Sequence, residues 1–167
     1  DNFTNSGIAN LFYSKDVWDK MAVNNHYYEG SMAPLKVFLD LILEKNSRDS
    51  AINISSFLDL EAWGRFSAFE ALSQTRHYDY SHNWRLYYDP WKQKIIPIVW
   101  DPAGWMWPAK SSDSVATEII NHDLHRKLFN NGDFIRLRNL ALHSFFESGE
   151  SVLFLNRVSN IVETMST

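Results

Sequence analysis

The sequence predicts an α+β chain, mostly helical, with one β-hairpin between a central helix and three C-terminal helices. Three observations carry this. Apolar side chains recur at spacings of three and four through 58–74, with Leu60, Trp63, Phe66, Ala71 and Leu72 marking the stripe. Strand-like alternation is confined to 83–88, followed after a turn by the apolar run 94–100. Finally, 45% of the 167 residues are hydrophobic, enough for a sizeable core in one domain or one lobe of a larger one.

Composition also excludes several classes. The net charge of −4 leaves no basic excess to neutralise a phosphate backbone, so nucleic acid is not an expected partner. Cysteine is absent, which removes disulfides, thiolate nucleophiles and cysteine-based zinc sites. That fits the cytosol, or a secreted or surface protein without disulfides. No apolar run reaches the roughly 20 residues of a membrane helix, so no membrane segment is expected. The start, Asp1-Asn2-Phe3, has no initiating Met and no signal-peptide pattern, and reads as a piece of a longer protein.

Residues 1–33 read as an N-terminal loop and short helix, and 34–167 as the main lobe. Ser14 is positioned to cap a short helix through Met21 with Val17, Trp18 and Met21 on one face. Residues 24–30 read as loop. Residues 34–44 are apolar on most sides, the pattern of a buried helix, and 46–50 read as a polar break. Ser56 and Asp59 resemble a capping box before the central helix at 58–74. In 83–88, Trp84, Leu86 and Tyr88 fall on one side and Arg85 and Tyr87 on the other. Asp89-Pro90-Trp91-Lys92 is a turn, and Pro97 assigns 94–100 to an edge or bulge. Residues 105–112 read as loop. Helices are expected at 115–129, 133–146 and 150–165, parted by Asn131-Gly132 and by Gly149.

Polar residues crowd the open end of this hairpin. Arg76, His77, Asp79, His82 and Asn83 precede its first strand, and Asp101 follows its second. If the hairpin closes, the two flanking loops are neighbours and both acids face one pocket. Two carboxylates and a carboxamide suit a hard cation such as Mg²⁺ or Mn²⁺, and a carboxylate that is not a ligand can take a proton from an attacking hydroxyl. Those are the local requirements of phosphoryl transfer.

The run Asp79-Tyr80-Ser81-His82-Asn83-Trp84-Arg85-Leu86-Tyr87-Tyr88-Asp89-Pro90 resembles the spore-coat CotH kinase pattern of Asp, a short gap, His-Asn, and an aromatic strand ending in Tyr-x-Asp. Ile96-Pro97-Ile98-Val99-Trp100-Asp101 is similar to that family's Ile-Pro-Trp-Asp strand end. Ser56-Phe57-Leu58-Asp59-Leu60 upstream, and Leu128-Phe129-Asn130-Asn131-Gly132-Asp133-Phe134-Ile135-Arg136 downstream, resemble its flanking helices in the right order. The resemblance implies the C-terminal lobe of an atypical protein-kinase-like fold. It implies Asp79 as catalytic base, and Asn83 and Asp101 as ligands of Mg or Mn. It further implies ATP as donor and a Ser or Thr of a protein substrate as acceptor. Arg76, His77 and His82 are candidate contacts to phosphate or substrate.

Plainer readings stand beside these. Asp79 and Asp101 suit turns, and Asn83 suits a local backbone bond. His77, His82 and Asp79 offer a weak zinc set. Ser81 beside His82 lacks triad spacing. His122 and His125 read as surface or capping residues, and Lys92 and Lys94 as solvated hairpin charges. Trp84, Trp91, Trp100, Trp105 and Trp107 are expected to pack the hairpin on the helices, or else to form a sugar-stacking platform. Ala103, where the family often carries a second acid, favours the alternative: a non-catalytic CotH-like module that binds polysaccharide or a surface protein.

Overall fold

A computed structural model of the chain describes residues 10–21, 32–103 and 117–166. Among these residues the chain is α+β and mostly helical, with six α-helices and one two-stranded antiparallel sheet. The predicted loops at 24–30 and 105–112, with Trp105 and Trp107, lie outside the described residues.

Ser14 caps as predicted, accepting from the Asp16 N–H at 3.1 Å, but what it caps is one 3-10 turn, Lys15–Val17. Trp18 then turns extended and its indole donates to the Leu11 carbonyl at 2.6 Å, closing the segment on itself. Helix α1, Ala33–Leu43, carries Pro34 in its first turn, where no N–H is required. It buries Phe38, Leu39 and Ile42, while Val37 and Leu43 are exposed. The nearly all-apolar helix therefore covers the core with one face only.

The expected polar break at 46–50 is instead the start of α2, Arg48–Phe57. Ser47 and Ser50 exchange capping bonds, 3.1 Å to the Ser50 N–H and 3.0 Å to the Ser47 N–H. Ser56 lies inside this helix and caps nothing. Asp59 alone starts α3, Leu60–Ser73, accepting from the Ala62 N–H at 3.1 Å.

Strands β1, Arg85–Asp89, and β2, Lys94–Ile98, pair with Arg85 opposite Ile98 and Leu86 opposite Pro97. Pro97 is tolerated because each strand of a two-stranded sheet has a free edge. Asp89 closes the turn by accepting from the Trp91 and Lys92 N–H groups. The Ile95 carbonyl receives both the Asp59 N–H and the Trp63 indole, at 3.1 and 3.0 Å, which fixes the hairpin to the α2–α3 junction.

Helix α4 begins at Asp123 and ends at Phe129, shorter than the expected 115–129, because His122 is fully extended. Asn131 caps α5, Gly132–Glu147, and Gly149 at φ 81° precedes α6, Glu150–Met165. The core joins Phe12, Phe38, Ile54, Leu58, Trp63, Phe66, Tyr78, Trp84, Leu124 and Phe134. Buried Lys127 clamps three helices, its ammonium donating to the Glu44 carbonyl at 2.8 Å and the Ser50 hydroxyl at 2.9 Å. No described helix is long and apolar enough to cross a membrane.

Candidate functional site at the hairpin mouth

The loop before β1 and the loop after β2 do meet. The Thr75 hydroxyl donates to the Pro102 carbonyl, and the Trp100 N–H donates to the buried Tyr78 hydroxyl at 3.0 Å. The 79–82 turn is held from behind as well. The Trp84 indole donates to the Asp79 carbonyl at 2.6 Å, and the Leu11 N–H to the Tyr80 carbonyl at 2.8 Å.

Within this frame the Asp79 Oδ1 accepts from the Ser81 N–H and hydroxyl, both at 2.7 Å, and from the His82 N–H at 3.2 Å. The His82 Nδ1 stands 2.9 Å from the same oxygen. Burial alone raises the Asp79 pKa, but the hydrogen bonds from Ser81 and His82 outweigh it and hold the carboxyl below its ordinary value. Asp79 is therefore an anion at neutral pH, and its second oxygen is not used by this turn. The Ser81 hydroxyl also lies 3.0 Å from the His82 Nδ1, but Asp79 meets that same nitrogen, whereas a nucleophile–base–acid relay needs one partner on each ring nitrogen.

His77 occupies the centre. Its Nδ1 lies 2.8 Å from the Asp101 carbonyl, 2.8 Å from the Asn83 Nδ2 and 3.9 Å from the Asp101 Oδ2. A carbonyl only accepts, so the neutral ring donates Nδ1–H to Asp101 and cannot also accept from the Asn83 amide. Turning that amide over resolves the conflict with its oxygen on His77. Keeping it as it stands moves the ring proton to Nε2 and leaves the Nδ1 lone pair against the Asp101 carbonyl at 2.8 Å, so the turned amide is the consistent arrangement. His77 and His82 meet edge to face at 4.6 Å. Asp79 and Asp101 thus join one network, linked through two imidazoles rather than directly. Arg76 is exposed beside the loop and takes no part in it.

Backbone strain gathers here. Gln74, Asn83, Asp101 and Ala103 all have φ between 42° and 65°, and among the described non-glycine residues only Gln93, at the hairpin turn, shares that sign. Left-handed backbone costs an L-residue roughly 1–2 kcal/mol, least for Asn and Asp. Gln74 is the left-handed C-cap that ends α3, a folding role, and the other three flank the polar cluster.

The donors suit Mg²⁺ or Mn²⁺. Asp101 presents a carboxylate that is 63% exposed, and the Asn83 amide lies on the other side of the shared His77 nitrogen. Ions of this kind keep several waters and take phosphate oxygens, so two protein donors suffice. Among the described residues, no three His, Cys, Asp or Glu side chains are placed together to hold a metal.

Two expectations are corrected. His122 and His125 are not surface residues; they are 5% and 1% exposed. His122 does stand at the N-cap of α4, but makes no side-chain cap bond. Of the tryptophans, Trp84 packs as expected, whereas Trp91 is 95% exposed and Trp100 half exposed, its ring under the Arg85 guanidinium at 4.0 Å. The buried Glu70 was not singled out by sequence, although its spacing from Trp63, Phe66 and Ser73 places it on the inner stripe of α3. Comparison with protein-family models, with curated proteins and with solved structures finds no match.

Proposed function

We propose that the hairpin mouth is the phosphoryl-transfer site of a CotH-like atypical protein kinase, with ATP as donor and a protein Ser or Thr as acceptor. One observation carries the reading: Asp79, His82, His77, Asn83 and Asp101 form a contiguous network from two loops that the hairpin closes together.

In this reading the donors on Oδ1 hold the Asp79 carboxylate in one rotation and leave Oδ2 for the acceptor hydroxyl. Asp79 orients that hydroxyl and takes its proton as the oxygen bonds to the transferred phosphorus; the bridging P–O bond breaks and its electron pair leaves with the diphosphate. Asn83 and Asp101 would hold Mg²⁺ or Mn²⁺, which supplies charge neutralisation on the phosphates. His77 sets which way the Asn83 amide faces. Arg76 and the ring edges of His77 and His82 contribute donors to phosphate, and fixed charge around the transferred group lowers the barrier most.

The test is thermal unfolding with ATP and Mg²⁺ or Mn²⁺. At about 100-fold excess over Kd, binding adds ~2.7 kcal/mol, or about 5–10 °C for a chain of this size. A shift abolished by Asp101→Ala supports the reading, and an unchanged Tm of the intact parent protein overturns it.

A second reading rests on the exposed rings of Tyr87, Trp91 and Trp100: a non-catalytic module stacking on a polysaccharide or docking a surface protein. A shift with soluble polysaccharide that Trp91→Ala removes, together with none from nucleotide, selects it.

A further inference from the structure

Behind the hairpin mouth lies a second polar cluster that phosphoryl transfer does not use. Glu70 from α3, His122 and His125 at the start of α4, and Arg138 from α5 are each at most 5% exposed. The His122 ring stacks on Phe12 at 4.6 Å, lies tilted by 30° against His125 at 4.0 Å, and meets Trp84 edge-on at 5.0 Å. Among the described residues, neither His122 nitrogen, neither Glu70 oxygen and not the His125 Nε2 has a hydrogen-bond partner. Orphaned polar atoms in a core call for an explanation.

The charges around His122 do not favour a proton there. The Asn121 N–H donates to the His125 Nδ1 at 3.2 Å, so neutral His125 carries its proton on Nε2, which faces the Glu70 Oε1 at 3.4 Å. Glu70 also acts on Arg138 and on Tyr78, and Glu118 on Arg138. What reaches His122 is repulsion from the fixed charge of Arg126, and from His125 whenever that ring is itself protonated. Burial first, and then those two neighbours, hold its pKa well below 6.5.

Of the two rings that clasp His122, one supports the 79–82 turn directly and the other is the chain neighbour of its second support. Trp84 bonds the Asp79 carbonyl, and Phe12 follows Leu11, which bonds the Tyr80 carbonyl. We propose that the His122–His125–Glu70 stack is an acid-sensitive latch: proton uptake by His122 drives its ring out from between Phe12 and Trp84 and releases the turn that carries Asp79. The latch governs the order of that turn and holds whether or not the turn transfers phosphate.

The opened state binds a proton that the closed state excludes. Closure is therefore fully favoured above the free histidine value, and weakens as pH falls from about 6.5 toward the depressed value. Between pH 7.5 and 5.5 the opening constant rises about tenfold.

The measurement is hydrogen exchange by NMR at the Trp84 indole and the Leu11 amide, corrected for intrinsic rate. The wild type loses about tenfold protection at both over this range, while His122→Phe and His122→Gln show no such dependence. Unchanged wild-type protection overturns the latch, as does an equal loss in either variant. Titration of the His122 ring nitrogens in the wild type needs no variant: a midpoint near 6.5 with the turn still protected also overturns it.

Discussion

Gly64 offers a test in which two known effects oppose each other and the geometry decides the sign. It lies in the middle of α3, where Ala is worth about 1 kcal/mol over Gly by helix propensity. A Cβ built there meets the Arg138 nitrogen at 3.0 Å and the Leu137 carbonyl carbon and Cβ at 3.1 Å. Two of these are backbone atoms of α5, so relief requires the helices to part rather than a side chain to swing aside. Overpacking of this kind costs typically 1–3 kcal/mol. Gly64→Ala is therefore expected to destabilise by about 0–2 kcal/mol net of propensity. Gly132, at the first position of α5, is the control, since nothing lies within 4 Å of its added methyl. The same change there is expected to be neutral or to stabilise by up to about 1 kcal/mol. Urea unfolding of both variants gives the comparison. A Gly64→Ala protein as stable as Gly132→Ala refutes the close α3–α5 approach, and with it the placement of Glu70 and Arg138 in one cluster.

Other perturbations follow from the same contacts. Trp84→Phe keeps a ring beside Phe12, Trp63 and Phe66 but leaves the Asp79 carbonyl without its donor, a loss of about 1–3 kcal/mol before any cavity is counted; urea melts equal to wild type contradict this. Lys127→Met preserves length and removes both bonds that join α4 to the end of α1 and the start of α2, so a fall of about 1.5–3 kcal/mol is expected, read as a lower Tm. Asp79, held below its ordinary value, stabilises the fold above about pH 4, and that contribution disappears as pH falls through the depressed value. Asp79→Asn should flatten the stability profile in that acid range and leave the His122 window near pH 6 untouched; an unaltered profile below pH 4 would count against the turn as described.

Much of the architecture was legible because it depends on local chemistry. The spacing of Trp63 and Phe66, the turn at Asp89-Pro90 and the Gly149 break each act within a few residues, and each forms where expected. Errors arose where local signals are ambiguous. Ser47 to Ser50 looks like a break because a capping box and a break share the same polar residues, and only the burial of Ala51 and Ile54 behind it separates them. The helix expected from 115 begins at Asp123, because His122 is drawn inward by Phe12 and Trp84, partners distant in sequence.

For the site, the sequence by itself determined the members: acids, imidazoles and an amide on either side of one hairpin, of types that suit phosphate and hard cations. Tertiary structure decided which of them touch. It put His77 between Asp101 and Asn83, committed one oxygen of Asp79 to its own turn, and buried Glu70, His122 and His125 behind them. The physical reason is range. Caps, turns and stripes are settled by neighbours a few residues away, whereas burial of a charge or the tautomer of a ring depends on atoms that only the packed fold brings within hydrogen-bonding distance.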